Sequence, residues 1–103
     1  MRAVYHPAFK ISLDAGWRRY EAIGLPLAER FRDEVRDGVR QLLSGLVDHA
    51  VGPHGFRCYR CKKFPYLIYH ERTTDAVMFL AVVYAGQDPG SLQETLNQYR
   101  GSS

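Results

Sequence analysis

The chain has 103 residues, of which 46% are hydrophobic and 24% are charged. These values fit one globular domain spanning residues 1–103 and exclude a repeat array, two large domains and a wholly disordered chain. The longest apolar run, from Ala76 to Ala85, is shorter than the roughly 18 residues that a membrane helix needs. No apolar segment follows the basic N-terminus, and two cysteines are too few for a disulfide scaffold. We therefore predict a cytoplasmic protein with reduced thiols and no membrane partner.

The net charge of +3 permits an acidic partner but is too small to require one. Its distribution is more informative, because residues 54–63 carry four cations and no acid. These cations are Arg57, Arg60, Lys62 and Lys63.

The N-terminal part of the chain predicts a strand and then a helix. Residues 2–6 favour a short strand, which Pro7 ends or confines to a sheet edge. An apolar stripe then predicts an amphipathic helix over 8–23, with Ser12 or Asp14 as a cap for a later start and Gly24 as a left-handed end. The stripe consists of Leu13, Trp17, Tyr20 and Ile23 or Gly24.

A second helix is predicted over 26–46, with Pro26 in a position that suits the first helical turn. Its apolar residues recur every three or four positions, and its opposite, charged face is predicted to be solvated. The apolar residues are Leu27, Phe31, Val35, Val39, Leu42 and Leu46. The short connection makes the two helices a hairpin. The hairpin presents Trp17, Tyr20, Phe31 and Val35 to the C-terminal half of the chain.

Three strands are predicted over 56–62, 66–71 and 76–84, and the last is apolar on both faces, as in a central strand. Short turns between them predict an antiparallel meander. Residues 91–99 favour a short C-terminal helix with Ser91 as its cap. The fold class is therefore α+β, in the order βααβββ, with the helical hairpin packed on a mostly antiparallel sheet.

The basic strand has two interpretations that remain open. Cations interleaved with Phe56, Tyr59 and Phe64 are typical of a nucleic-acid surface, where they contact phosphates and stack on bases. The same charges also protect an edge strand from aggregation.

The spacing of His49, His54, Cys58 and Cys61 offers four nitrogen and sulfur ligands of the kind that bind zinc. However, Cys58 and Cys61 lie three residues apart on a predicted strand, so their side chains point to opposite faces. We therefore favour buried thiols, and we predict no metal and no cofactor.

Acid–base chemistry would have to come from the strand histidine and tyrosines. Tyr66 and His70 share a face of the second predicted meander strand, Tyr69 lies opposite, and Tyr84 ends the third. A histidine near the sheet surface is a candidate general base, although no partner is placed beside it. Aromatic packing across the strands explains the same residues.

With these elements in place, the chain resembles the RelE/ParE superfamily of bacterial toxins, and within it the ParE-like plasmid-stabilisation branch. The resemblance runs from Tyr5 to about Leu92. The matching stretches are 5–8, 17–21, 27–31, 34–35, Arg57, 63–69, 80–84 and 88–90. The sequence Phe64, Pro65, Tyr66 before a strand is the most specific of them.

The resemblance implies a toxin held inactive by a cognate antitoxin in a hetero-oligomer. Residues Trp17, Tyr20, Phe31 and Val35 of the hairpin are then expected to contact the antitoxin. It also implies two alternative activities. RelE-like members cleave mRNA on the ribosome, whereas ParE-like members bind and inhibit DNA gyrase.

Under the ribonuclease alternative, the resemblance makes Arg57, Lys62, Lys63 and Tyr84 the catalytic residues. Tyr84 stands where the family usually has histidine, and Leu92 replaces a common tryptophan. Gln87 stands where the family usually has arginine, and a neutral amide supplies no charge to a phosphate.

That departure favours a ParE-like toxin that acts by binding a protein target. Arg57, Arg60, Lys62, Lys63 and Gln87 are then the target- or nucleic-acid-binding residues. A ribosome-dependent endoribonuclease is the alternative hypothesis. A third is a non-toxic module that binds RNA or an acidic peptide.

Overall fold

The computed structural model describes residues 1–45 and 56–86. Its elements are β1 (Arg2–Tyr5), α1 (Pro7–Glu21), α2 (Leu25–Leu43), β2 (Arg57–Arg60), β3 (Tyr66–Arg72) and β4 (Ala76–Tyr84). The predicted α+β class and the order βααβββ are confirmed. The predicted helix over 91–99 lies outside the described residues. Neither of the two described helices is both long and apolar enough to cross a bilayer.

The four strands form one mixed sheet in the order β1-β4-β3-β2. β2, β3 and β4 form the predicted antiparallel meander, whereas β1 pairs parallel with β4. The apolar strand β4 is therefore central, as predicted, because it has a partner on each side. β1 and the basic strand β2 are the two edges.

The main core lies between the helical hairpin and one face of the sheet. Gly38 on α2 allows this close approach, because an added Cβ would lie 2.7 Å from the Tyr59 ring and 3.0 Å from Ile68. Phe31, Val35 and Leu42, three of the six apolar positions predicted on α2, are buried. A second cluster on the opposite sheet face contains Phe56, Tyr69, Leu80, Ala81 and Val83.

The start of α1 differs from the prediction of a cap at Ser12 or Asp14. His6 is the N-cap, and its Nδ1 accepts a hydrogen bond from the Ala8 amide at 3.0 Å. Ser12 lies inside the helix, where its hydroxyl accepts the Val82 amide at 2.9 Å. Because β1 pairs only with the first half of β4, this hydroxyl satisfies a strand donor beyond the end of β1.

The helix ends also correct the sequence analysis. Gly24 has an extended φ of 174° and is the N-cap of α2, so it does not end α1 in a left-handed conformation. α1 ends at Glu21, and Ile23 therefore leaves the predicted stripe and is 73% exposed. Within residues 1–45 and 56–86, the glycine with a left-handed φ is Gly45, at 75°, just after the end of α2.

Candidate functional site

One end of the sheet carries an aromatic cluster, which we define as Tyr20, Phe31, Phe64, Tyr66 and Tyr84. Phe31 lies at its centre, with ring centroids 4.8 Å from Tyr66 and 5.6 Å from Phe64. Tyr66 pairs with Tyr84 across β3 and β4, with an edge-to-face ring distance of 5.7 Å. Because Tyr20, Phe64 and Tyr84 remain partly exposed, the cluster joins the core to the surface.

Arg19, on the last turn of α1, extends over the outer side of this cluster. Its guanidinium carbon lies 4.2 Å from the centroid of the Tyr84 ring, within the range of a cation–π contact. Interaction with the Tyr84 hydroxyl, and then with Tyr66, raises the pKa of Arg19. The arginine is therefore a permanent, exposed positive charge held at the end of the sheet.

The connection from β2 to β3 is a turn that Glu34 holds against α2. One carboxylate oxygen of Glu34 accepts the backbone amides of Lys62 at 3.0 Å and of Lys63 at 2.7 Å. The strand predicted over 56–62 therefore ends at Arg60, and the two lysines leave it. Their side chains are exposed on the turn, which we call the basic turn and which covers residues 61–65.

A groove of about 550 Å³ separates α2 from the basic turn. It has an apolar floor at Leu27 and Phe64, acidic residues on the helix side and lysines on the turn side. The charged lining residues are Arg30, Asp33, Glu34, Asp37, Lys62 and Lys63.

The two basic residues of β2 point to opposite faces of the sheet, because they lie three positions apart on a strand. Arg57 pairs with His70, on the face that the helices cover, whereas Arg60 pairs with Leu67. His70 is four residues from Tyr66 along β3, which at ~3.3 Å per residue separates Arg57 from the aromatic cluster by about 13 Å along the strand.

The residues predicted under the ribonuclease alternative are therefore not all brought together. Lys62 and Lys63 lie next to Phe64 and hence beside the cluster that contains Tyr84. Arg57 lies toward the other end of the sheet from Tyr84. Gln87, the fifth residue predicted to bind a target, lies outside the described residues.

The prediction of a histidine near the sheet surface is wrong for His70. It does share the helix-facing side with Tyr66, as expected, but it is only 2% exposed, and its Nδ1 lies 3.1 Å from the Ile68 carbonyl. His6, the other histidine in the described ranges, is also buried. Within residues 1–45 and 56–86 no histidine is therefore placed to act on a ligand from solvent.

The four hairpin residues predicted to contact an antitoxin divide into two pairs. Phe31 and Val35 are 0% and 1% exposed, so they belong to the core and offer no surface to a partner. Trp17 and Tyr20 are partly exposed. Trp17 donates a hydrogen bond to Glu21 at 3.2 Å and lies under the Arg32 guanidinium, at 5.2 Å from its ring centroid.

The hairpin also exposes apolar side chains at the turn between its helices. Ile23 and Leu25, which flank the turn between the helices, are 73% and 51% exposed. A separate shallow groove of about 210 Å³ lies along the two helices, lined by Leu13, Asp14, Trp17 and Arg32. Such exposed apolar side chains are typical of a surface that a partner covers.

The cysteines lie on opposite faces of the sheet, as predicted. Cys61 packs in the main core and Cys58 against the second cluster, so the two cannot chelate one ion. His49 and His54 lie outside the described residues, and within those residues no group of three histidine, cysteine or acidic side chains could hold a metal. Burial raises the pKa of both thiols, to about 12 for Cys61.

We expect iodoacetamide at pH 8 to modify Cys61 at least ~100-fold more slowly in the folded chain than in urea, because burial suppresses the reactive thiolate. Mass spectrometry of timed samples measures both rates. The variant Cys58→Ala leaves Cys61 as the single thiol, and Cys61→Ala provides the reverse comparison. Equal rates in the folded and unfolded chain would show that Cys61 is accessible.

The comparisons with known proteins bear on the fold. No family model and no curated protein matches the sequence. Among solved structures, a chain of the chromosomal ParDE TA system from P. aeruginosa superimposes with a TM-score of 0.68. The match covers 82% of this chain and 95% of that chain, at 17% sequence identity.

The two chains share one fold. The fold that the sequence resemblance implied is thus confirmed.

Two residues of the site were missed by the sequence analysis. Arg19 adjoins Tyr20 in the predicted stripe, but its contact is with a residue 65 positions away, which no local pattern indicates. Glu34 belongs to the charged face of α2 that the sequence predicted to be solvated, yet it is half-buried and accepts the Lys62 and Lys63 amides of the basic turn. The sequence offered one indication that Glu34 has a role, because residues 34–35 are among the stretches that resemble the family.

Proposed function

We propose that the chain is the toxin component of a type II toxin–antitoxin system, of the ParE-like kind, and that it inhibits growth by binding a protein target such as DNA gyrase. The observation that carries this proposal is the fold, which the chain shares over 82% of its length with a chain of a ParDE TA system. The protein would act in the cytoplasm, where such a target resides.

A cognate antitoxin is the proposed neutralising partner, and the helical hairpin is its proposed binding surface. Ile23 and Leu25 expose apolar side chains at the hairpin turn, and Trp17 and Tyr20 extend that surface along α1. A partly disordered partner segment can cover such a surface when it folds on binding. Phe31 and Val35 would support this surface from beneath.

Binding of a target is favoured over RNA cleavage by the geometry of the described residues. Arg57 lies away from Tyr84, and both described histidines are buried, so a general base and the phosphate-binding cations are not assembled around one point. The exposed cations Arg60, Lys62 and Lys63 suit contact with an acidic surface of a target. Arg57 and Gln87 remain proposed contributors. A ribosome-dependent ribonuclease is the alternative, because Lys62 and Lys63 do lie beside the cluster that contains Tyr84.

Inducible expression in a bacterial host provides the test. We expect growth to stop on induction, the neighbouring reading frame to encode a small acidic antitoxin, and growth to recover when the two are co-expressed. Purified chain should inhibit gyrase supercoiling, and the double variant Lys62→Ala/Lys63→Ala should weaken inhibition about tenfold or more through loss of exposed charge pairing. The double variant Arg18→Ala/Arg36→Ala removes the same charge from exposed positions of the helical hairpin outside the groove and serves as the matched control.

Each other outcome identifies a different function. Cleavage of mRNA in a toeprinting assay, lost in Arg57→Ala, would replace gyrase binding with the ribonuclease alternative. Harmless expression together with a salt-sensitive affinity for RNA or an acidic peptide would identify a non-toxic binding module. Growth arrest with gyrase activity unchanged would keep the toxin and exclude this target.

A further inference from the structure

The groove between α2 and the basic turn carries charges of opposite sign on its two sides. The turn side has the ammonium groups of Lys62 and Lys63, and the helix side has three carboxylates and one guanidinium. The helix-side residues are Arg30, Asp33, Glu34 and Asp37. The groove therefore has a basic wall on the turn and a mainly acidic wall on α2.

No ion pair between described residues joins these two walls. The side-chain ion pairs nearby run along α2, from Arg32 to Asp33 at 3.8 Å and from Arg40 to Asp37 at 3.7 Å. Both are long contacts between exposed side chains, so they contribute little to stability. Glu34 does cross to the turn, but it accepts backbone amides there. Both walls therefore keep charge with which a ligand in the groove can pair.

The floor between the two walls is apolar and held in place from beneath. Leu27 and Phe64 line it, and both are partly exposed. The Phe64 ring meets Tyr20 and Phe31 edge to face, at centroid distances of 5.0 and 5.6 Å. The groove volume of about 550 Å³ lies within the roughly 300–1,000 Å³ typical of ligand sites. The groove thus offers a preformed apolar contact between two charged walls.

We propose that this groove binds an extended peptide segment of a protein partner, with a basic side chain facing α2, an acidic side chain facing the turn and an apolar side chain on the floor. Charge complementarity selects this segment, because one wall would repel a segment whose charges all have the same sign. Asp33 and Asp37 are exposed and lie one helical turn apart, so one arginine of the segment can reach both. The inference deepens the proposed function and rests on it for the identity of the partner, since Lys62 and Lys63 are proposed to meet the target.

The experiment is an NMR titration of the purified chain with synthetic peptides, following the backbone amides of Lys62, Lys63 and Phe64. The probe is a short peptide, capped at both ends, that contains one glutamate, one leucine and one arginine spaced by glycines. Three matched peptides replace the glutamate or the arginine with glutamine, or the leucine with serine. We expect each replacement to weaken binding about threefold or more, because each removes one charge pair or the apolar contact.

A charge reversal on the chain separates a specific groove from general attraction. Asp33→Lys should weaken binding of the probe about threefold or more, and it should favour a peptide in which a second glutamate replaces the arginine. Glu29→Lys is the matched control, because it makes the same change at an exposed position of α2 outside the groove and should alter affinity less than about twofold. Equal losses in the two variants, or four peptides that bind alike, would overturn the proposal.

The titration uses neither gyrase nor growth arrest, so its failure is distinguishable from failure of the proposed function. A chain that binds the probe and leaves supercoiling unchanged keeps the groove and excludes gyrase as the partner. A chain that inhibits gyrase and binds none of the peptides excludes the groove alone.

Discussion

Replacing Phe31 with alanine is expected to lower the free energy of unfolding by about 3–5 kcal/mol. The side chain is completely buried, and its ring contacts Tyr20, Phe64 and Tyr66 at centroid distances of 5.2, 5.6 and 4.8 Å. Removing it leaves a cavity at the junction of both helices and the sheet. Chemical denaturation followed by circular dichroism measures the change.

The matched control for Phe31→Ala is Arg30→Ala, an exposed neighbour on α2 whose removal should change stability by about 0.5 kcal/mol or less. Phe31→Leu, which retains most of the volume, should fall between the two. A loss below about 1 kcal/mol for Phe31→Ala would mean that the core does not close around this ring as the structure places it.

The same variants clarify how the hairpin would bind a partner. A binding defect in Phe31→Ala follows from the collapse of the supporting core, so it identifies no contact. Trp17 and Ile23 are the informative positions, since both reach the surface. Trp17→Ala and Ile23→Ala should weaken antitoxin binding while leaving the unfolding free energy within about 1 kcal/mol of the parent.

The sequence was sufficient to predict the elements whose burial follows a simple period. α2 and β4 are of this kind, because an apolar residue every third or fourth position, or an unbroken apolar run, specifies a buried helix face or a central strand. The parallel pairing of β1 with β4 was not predictable in the same way. The alternation of residues along a strand indicates which side chains share a face. It does not indicate which strand of the sheet pairs with it, or whether that pairing is parallel.

The details that position the site depend on contacts between distant residues. The local sequence pattern predicted that β2 continues to Lys62. In the structure, the Lys62 and Lys63 amides instead donate to the Glu34 carboxylate on α2, and β2 ends at Arg60. The local pattern likewise predicted Ser12 as a helix cap, whereas its hydroxyl accepts a hydrogen bond from the Val82 amide on β4. In each case the interaction that decides the outcome joins residues about 30 to 70 positions apart, beyond the reach of propensity or periodicity.

Replacing Glu34 with alanine is expected to release the basic turn from α2 and to lower the free energy of unfolding by about 1–3 kcal/mol. The variant leaves two backbone amides, those of Lys62 and Lys63, without the carboxylate oxygen that accepts both. Hydrogen exchange of these amides, measured by NMR, should accelerate about tenfold or more while exchange in β3 changes much less. The unfolding free energy comes from the same denaturation experiment as for Phe31.

The comparison of Glu34→Gln with Glu34→Ala separates charge from hydrogen bonding. Glutamine keeps an oxygen acceptor and loses the negative charge, so the two lysine amides should exchange at a rate between those of the parent and Glu34→Ala. Glu29→Ala removes an exposed carboxylate from the same helix and should leave the turn unchanged. Unchanged exchange of the Lys62 and Lys63 amides in Glu34→Ala would show that the basic turn is stable without the Glu34 carboxylate. Acceleration would show instead that α2 positions the lysines, so that a partner that displaces the hairpin also displaces the charges proposed to meet the target.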